Sequence, residues 1–377
     1  MSRTPDLRTL AGLHGTPLLL LDCETIRSQY RALQQALPGV TLFYALKPLP
    51  HPAVVAELRD LGACFDLATT GEIRLVKSAG VAAERCIHTH PIKGDADIRA
   101  ALRFGIRTFV ADNPDEIRKF ERHRKRAELL LRISFRDPTA VVDLSRKFGC
   151  EPAAVPHLLE FAHSLGIRVR GLSFHVGSQV ADPAKYVEAI GACRRIIEQA
   201  RVHGHEPLDV LDIGGGFPIG YRREPIPIGQ FCRPIRAALK KLPGSVRVIA
   251  EPGRFIAGPA GTSVARVVGR AQREGRWWYY LDDGLYGSYS GQLYDHATYP
   301  IEVLDRDGPR HPSVLAGPTC DSIDVVREDV LLPELQLGDM LVGRMMGAYT
   351  CASATDFNFI PRARVVPINV HAKKGRA

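Results

Sequence analysis

Lys47 closes an apolar run, V-T-L-F-Y-A-L at 40–46, bounded by Pro38-Gly39 on one side and Pro48 on the other. β-branched, aromatic and aliphatic residues between turn formers read as a buried strand, with the lysine at its C-terminal end. Burial shifts a lysine amine toward its neutral, nucleophilic form, which suits Schiff-base chemistry. Taken alone, Lys47 reads more simply as a strand-end lysine reaching solvent. Five further apolar runs, however, end on reactive side chains: Asp66, Arg132, His175 with Gly177-Ser178, Asp212 with Gly214-Gly215-Gly216, and Glu251 with Pro252-Gly253-Arg254. A turn or a satisfied core residue explains any one of these. Chance is a poor account of six together.

Glycines let backbone N–H groups approach an anion closely, and Arg254 adds charge, so the last two segments suit a phosphate. There is no G-x-G-x-x-G fingerprint and no Walker sequence, which disfavours nicotinamide and nucleotide ligands. A phosphate site, a strand-end lysine and a strand-end glutamate together suggest pyridoxal phosphate. Lys47 would form the Schiff base, and Glu251 would keep the ring nitrogen protonated and electron-withdrawing.

The elements that position these residues alternate. Apolar segments at 41–46, 63–67, 86–89, 108–111, 129–133, 171–176, 210–213 and 246–250 are separated by amphipathic helical patterns. One helix pattern, Pro52 to Leu61, stops at Gly62, and another starts at Asn113-Pro114-Asp115-Glu116 with a cap, a proline and an acidic first turn. Eight strands alternating with helices predict a (β/α)8 barrel of the α/β class, with an open doubly wound sheet as the alternative. In a barrel the strand C-termini face one active site. Beyond about Pro259 short strand-like segments (263–268, 277–281, 313–316, 362–366) follow one another without helical periodicity. The expected division is a barrel at 24–258 and an all-β domain at 1–23 and 259–377, completed by a strand near Leu18. The residues before Pro17 read as a short polar start, Trp277-Trp278 as core aromatics, and the Lys373 to Arg376 tail as a disordered end.

Composition bounds the rest. A chain of 377 residues favours two domains, and 45% hydrophobic with 24% charged residues is ordinary for a soluble globular protein. The net charge of +9 is spread along the chain. Its densest run, Arg118 to Arg126, reads as a solvated helix face with attraction of anionic ligands as a secondary effect, and no nucleic-acid partner is expected. The eight cysteines form no C-x-x-C pair, so neither a zinc site nor a disulfide framework is indicated and a reducing cytoplasm fits. No signal peptide or membrane span is expected.

The segments F-Y-A-L-K (43–47), F-D-L-A-T (65–69), S-F-H-V-G-S (173–178), D-I-G-G-G-F-P (212–218) and E-P-G-R-F (251–255) continue into D-D-G-L-Y-G-S (282–288), L-Y-D-H-A (293–297), G-P-T-C-D-S-I-D (317–324), G-D-M-L (338–341) and G-A-Y-T (347–350). In order and spacing, over about 17–366, the chain resembles the fold type III pyridoxal-phosphate-dependent decarboxylases, and among them the ornithine decarboxylase group. The resemblance implies a barrel plus a C-terminal β domain, with Lys47 carrying the cofactor, His175 stacked on its ring and Glu251 on the ring nitrogen. It implies Ser178, Gly215, Gly216, Gly253, Arg254 and Tyr349 around the phosphate, with Asp66 and Arg132 lining the same site. It also implies a homodimer with shared sites, into which Cys320 reaches from a partner subunit, and a substrate contacted by Asp295, Asp321, Tyr286 and Phe357.

Two positions depart from the family pattern: Phe255, where tyrosine is frequent, and Gln179, where ornithine decarboxylases often carry glycine. Three functions compete. A racemase-like relative would place an arginine against the ring nitrogen, and a non-catalytic homologue would have lost part of the cofactor set, so a decarboxylase is favoured. Diaminopimelate decarboxylases carry C-E-S where this chain has Cys320-Asp321-Ser322, which favours a substrate with a free distal amine. The expectation is L-ornithine first, giving putrescine for polyamine biosynthesis, and L-lysine second. A dual ornithine/lysine enzyme or a diaminopimelate enzyme is the alternative.

Overall fold

The computed structural model describes residues 6–135, 147–221, 224–304 and 306–371. The chain forms two units. One is built from residues 1–26, 220–224 and 257–377, the other from 27–219 and 225–256. Strand β1 (Leu18–Asp22) belongs to the first unit. The second contains β2 (Thr41–Ala45), β3 (Cys64–Leu67), β4 (Cys86–His88), β5 (Thr108–Ala111), β6 (Glu128–Ile133), β7 (Val169–Phe174), β8 (Val210–Asp212) and β9 (Arg247–Ala250).

Every neighbouring pair from β2 to β9 is parallel, and β9 pairs back onto β2 through Thr41 with Ile249 and Leu42 with Ala250. The sheet is therefore a closed barrel rather than an open doubly wound sheet. Strand side chains alternate between faces, so Phe43, Ile87, Val110, Leu130, Val210 and Ile249 pack inside while neighbouring residues meet the helices. Local signals set the helix ends. The His51 ring accepts from the Ala53 N–H at 3.2 Å before the helix Pro52–Asp60, and Gly62 follows that helix at φ 81°. Asn113 Oδ1 accepts from the Glu116 N–H at 3.0 Å at the start of Pro114–Arg118. The basic run 118–126 departs from its reading as a helix face. Only Arg118 is in that helix, and a 3₁₀ turn at Glu121–His123 follows. Within the run, Arg122 pairs with Asp95, and Arg126 donates to the Leu102 carbonyl at 2.7 Å.

The first unit is a mixed sheet. β10 (Gly261–Arg273), β11 (Arg276–Leu281), β12 (Ile301–Leu304), β13 (Arg310–Ala316), β14 (Val325–Pro333), β15 (Met340–Arg344) and β16 (Arg364–Ile368) join β1 in it. The order is β12-β15-β10-β11-β13-β14, with β1 antiparallel to β10 and parallel to β16. The N-terminal strand thus completes this sheet, as the sequence suggested. The supposed polar start is instead a helix, Leu7–His14, capped by Asp6 accepting from the Arg8 and Thr9 N–H groups at 3.2 Å. Its Leu7 and Ala11 pack with Leu18, Leu20, Val264 and Val342. β14 was missed because Arg327, Glu328 and Asp329 break its apolar run, and β12 and β15 because they are only four and five residues long, β12 also being interrupted by Glu302. Trp277 and Trp278 are half-buried rather than core. Trp277 packs on the core edge beneath Arg270 at 5.1 Å, and Trp278 stacks on Tyr280. The 373–376 tail lies outside the described residues. Among those described, no helix is long and apolar enough to cross a membrane.

Candidate active site

The segment carrying Lys47 is tied on both sides to neighbouring strand ends. The Ala45 N–H donates to the Pro252 carbonyl at 3.2 Å, and the Leu46 N–H to the Asp66 carbonyl at 3.2 Å. A Cβ on Gly253 would sit 2.6 Å from Pro48 Cγ, so only glycine permits this approach. Beside it, Thr89, Val110, Arg132, Ser173, Phe174, His175 and Glu251 line a pocket of about 190 Å³. The barrel thus gathers Lys47, Asp66, Arg132, His175, Asp212 and Glu251 at its strand C-termini.

Their charges do not balance. Asp66, Asp212 and Glu251 share one interior with the Arg132 guanidinium, and the Lys47 ammonium acts on Asp66 and His175. Burial, then the neighbouring Asp212, holds Glu251 well above the ordinary carboxylate range. Burial pushes Asp212 up to about 7, against the opposing hydrogen bond from Glu251. Burial and then Glu251 raise Asp66 likewise, although the Thr89 hydroxyl donates to Asp66 Oδ1 at 2.5 Å. Burial, reinforced by Arg132 and Lys47, holds His175 well below the usual imidazole range, so its ring is neutral. Its Nδ1 accepts from the Gly177 N–H at 3.1 Å. A neutral, oriented ring is suited to stacking.

Next to these residues lies a cradle of backbone. A Cβ on Gly214, Gly215 or Gly216 would approach the carbonyl oxygens of Phe174, Glu251 and Gly177 to 2.3, 2.5 and 2.3 Å. Gly214 and Gly216 also have φ of 66° and 103°, conformations that L side chains rarely adopt. Buried Arg254 donates to Ser178 Oγ at 3.2 Å. These features fit pyridoxal phosphate. The surplus of carboxylates suits a cationic ring nitrogen, and among the described residues buried Asp212 Oδ2 meets no N–H or hydroxyl donor. The glycine turn with Ser178 and Arg254 suits the phosphate.

Gln179 takes φ 54°, the conformation in which glycine costs least. Its side chain offsets that cost by donating to the Ile219 carbonyl and accepting from the Ile219 N–H, both at 2.9 Å. Phe255 is buried, with Gln29 donating to its carbonyl at 2.9 Å. Sequence reasoning passed over Thr89, Glu72 and Tyr186. Thr89 was legible as one more strand-end residue. Glu72, accepting from the Ala68 N–H at 2.5 Å, and Tyr186, donating to the Gly215 carbonyl at 2.7 Å, left no signal beyond ordinary helix positions.

In the β unit the remaining residues form two groups. In the first, the Tyr286 hydroxyl donates to Asp321 Oδ2 at 2.5 Å, and its ring stacks on Phe357 with centroids 4.4 Å apart. Exposed Cys320 donates through both its N–H and its thiol to Asn358 Oδ1, each at 3.4 Å. Tyr286 holds the Asp321 carboxyl below the usual range. In the second group, half-buried Asp295 ends the helix Gly291–Asp295, and the first residue of that helix lies against the Tyr349 carbonyl. The Ser290 hydroxyl ties the same segments by donating to the Thr350 carbonyl at 3.0 Å.

A family model for the pyridoxal-binding domain of pyridoxal-dependent decarboxylases matches residues 23–258. Lysine/ornithine decarboxylase of Selenomonas ruminantium is 37% identical over 354 residues, covering 94% of this chain and 90% of its own. Antizyme inhibitor 2 of Xenopus laevis is 38% identical over 354 residues, covering 89% of this chain and 77% of its own. The crystal structure of lysine/ornithine decarboxylase from Vibrio vulnificus complexed with cadaverine is 56% identical, with a TM-score of 0.93 over 96% of this chain and 97% of that one.

Proposed function

The chain belongs to the pyridoxal-dependent decarboxylases, and from that premise we propose that it removes CO2 from L-ornithine and L-lysine, ornithine being preferred, to give putrescine and cadaverine. The substrate class rests on Asp321, a carboxylate that Tyr286 keeps ionised at 2.5 Å and that suits a distal ammonium. Two comparisons support it: the Vibrio vulnificus protein at 56% identity was solved with cadaverine and, at 55%, with putrescine. A second carboxylate on the substrate would need a free cation. Arg362, which lines the pocket with Tyr286 and Phe357, is already gripped by both Asp356 oxygens, at 2.7 and 2.9 Å. The two substrates differ by one methylene, worth about 1–3 kcal/mol, so activity on both is the natural outcome.

Pyridoxal phosphate, when bound, would supply the electron sink for the pair left when CO2 departs. The chain supplies the rest. Lys47 would bind the cofactor, Glu251 would pair with its ring nitrogen, neutral His175 would face the ring, and Ser178, Gly215, Gly216, Gly253 and Arg254 would hold its phosphate, a set to which the family resemblance adds Tyr349. Cys320 returns a proton to the substrate α-carbon. The expected result of assaying CO2 release against L-ornithine, L-lysine, L-arginine, meso-diaminopimelate and the D-isomers is turnover of the first two only. A preference for diaminopimelate, or for any D-isomer, contradicts the reading.

The working form in this reading is a homodimer in which Cys320 and Asp321 serve the partner's barrel. Ile323, Phe357 and Phe359, on and beside the segments that carry these residues, are 51%, 40% and 93% exposed, an apolar surface of the kind that partners cover. Neither Lys47→Ala nor Cys320→Ala homodimers should be fully competent. Mixing them leaves one intact site in each heterodimer, so an exchanged equal mixture recovers roughly a quarter of wild-type activity. No recovery despite proven exchange excludes the shared site. None of the eight cysteines forms a disulfide, which suits the reducing cytoplasm proposed for the protein.

A further inference from the structure

Two carboxyl groups from the adjacent barrel strands β8 and β9 meet at the strand C-termini. Asp212 ends β8 and is fully buried, and its Oδ1 accepts from the Gly214 N–H at 2.9 Å. Glu251 follows β9, and backbone hydrogen bonds fix the two segments against each other: Ile213 N–H to the Ile249 carbonyl at 2.9 Å, Glu251 N–H to the Gly214 carbonyl at 2.8 Å. The Asp212 carboxyl, whose remaining oxygen no N–H or hydroxyl reaches among the described residues, lies within hydrogen-bonding reach of the Glu251 carboxyl. Two carboxylates cannot make that contact; a carboxyl and a carboxylate can. We propose that Asp212 is a positioning residue that shares one proton with Glu251 until the ring nitrogen arrives, and that binding of the protonated ring nitrogen at Glu251 expels this proton to solvent.

The balance is simple. The O–H bond between the two carboxyls breaks, its proton goes to water, and the pair gains one negative charge, which the pyridinium N–H matches. The surrounding charges set the need for it. Asp66 in β3, on which Glu72 acts, adds negative charge, and the Arg132 guanidinium in β6 acts on both members of the pair. Lys47 after β2 acts on Asp66, and His175 after β7 is neutral. With Arg132 and Lys47 as counter-charges, keeping Asp212, Glu251 and Asp66 all ionised beside Glu72 in a buried site is costly until a further cation is present, and a shared proton removes the repulsion while keeping Glu251 at the pocket.

The test is calorimetric titration of the cofactor-free full chain with pyridoxal phosphate, at neutral pH or just below, in buffers of different ionisation enthalpy. The wild type is expected to release about one proton more per cofactor bound than Asp212→Asn. The asparagine oxygen can keep the Gly214 contact and its amide can donate to Glu251, yet the pair no longer stores a proton. Equal counts overturn the proposal. If Asp212→Asn does not fold, infrared spectra of the wild type labelled with ¹³C-aspartate decide. A protonated buried carboxyl band that vanishes on cofactor binding, and persists in cofactor-free Asp66→Asn, supports the pair; its absence, or its loss in Asp66→Asn, refutes it. The proposal rests on Glu251 as partner of the ring nitrogen. Unchanged cofactor affinity in Glu251→Gln sinks that assignment, whereas equal proton counts sink only the role given to Asp212.

Discussion

Lys47→Ala yields a folded chain that has lost the near-visible cofactor absorbance and decarboxylates L-ornithine slower by on the order of 10⁵-fold, the effective molarity that a well-placed intramolecular group supplies. Folding survives because the Lys47 segment is held by its backbone. Ala45 and Leu46 donate to Pro252 and Asp66, and Pro48 packs on Gly253. The Lys47 side chain itself is exposed, so its truncation opens no core cavity. The remaining carboxylates, phosphate cradle and stacking histidine still bind the cofactor, but without a covalent tether. Absorbance of the reconstituted protein and borohydride fixation followed by peptide mapping check this. A wild-type protein without the band, or one in which borohydride fixes a different lysine, removes Lys47 from the chemistry.

The barrel was legible because each of its strands is a short apolar run ending at a turn, and the chemistry stands where the run ends. The same rule that located Lys47, Asp66 and Glu251 marks Thr89, whose hydroxyl restrains Asp66 at 2.5 Å. What the sequence hides is charge that tertiary structure buries. Lys93 looks like a surface lysine, yet it is 3% exposed, with Glu116 at 2.8 Å and the carbonyls of His90, Pro91 and Val110 around its ammonium. The proton shared by Asp212 and Glu251 is equally invisible, since residues 212 and 251 are neighbours only through strand pairing. In the β unit, strand alternation fails where β13 and β14 pair with irregular register between Ser313 and Leu315, and the apolar pattern drifts with it. The resemblance, by contrast, supplied Cys320, Asp321 and Asp295, residues that no periodicity would single out.

Asp321→Ala raises KM for both L-ornithine and L-lysine by about 30- to 10³-fold, the cost of removing the charged partner of a largely desolvated ammonium, about 2–4 kcal/mol. The carboxylate is prepared for that task. Tyr286 donates to its Oδ2 at 2.5 Å and the Ile323 N–H to its Oδ1 at 3.2 Å, and both bonds favour the ionised form. Phe357 stacks on Tyr286 at 4.4 Å and fixes the direction of the hydroxyl, whose pKa the hydrogen bond to Asp321 pushes up to about 12. Tyr286→Phe therefore loosens the carboxylate without removing its charge, and its effect on KM should be about tenfold, one lost hydrogen bond. Asp295→Ala, at the end of the helix Gly291–Asp295, should act in the same direction as Asp321→Ala. In all three variants the ornithine-to-lysine ratio changes by less than about tenfold, because a single methylene separates the substrates while their ammonium is common to both. Cofactor absorbance stays at the wild-type value, since the groups proposed to anchor the ring are Lys47, His175 and Glu251. Steady-state kinetics on both amino acids, paired with the absorbance spectrum, separates the outcomes. Unchanged KM in Asp321→Ala means the distal ammonium is read elsewhere, and a lost cofactor band means Asp321 supports the cofactor rather than the substrate.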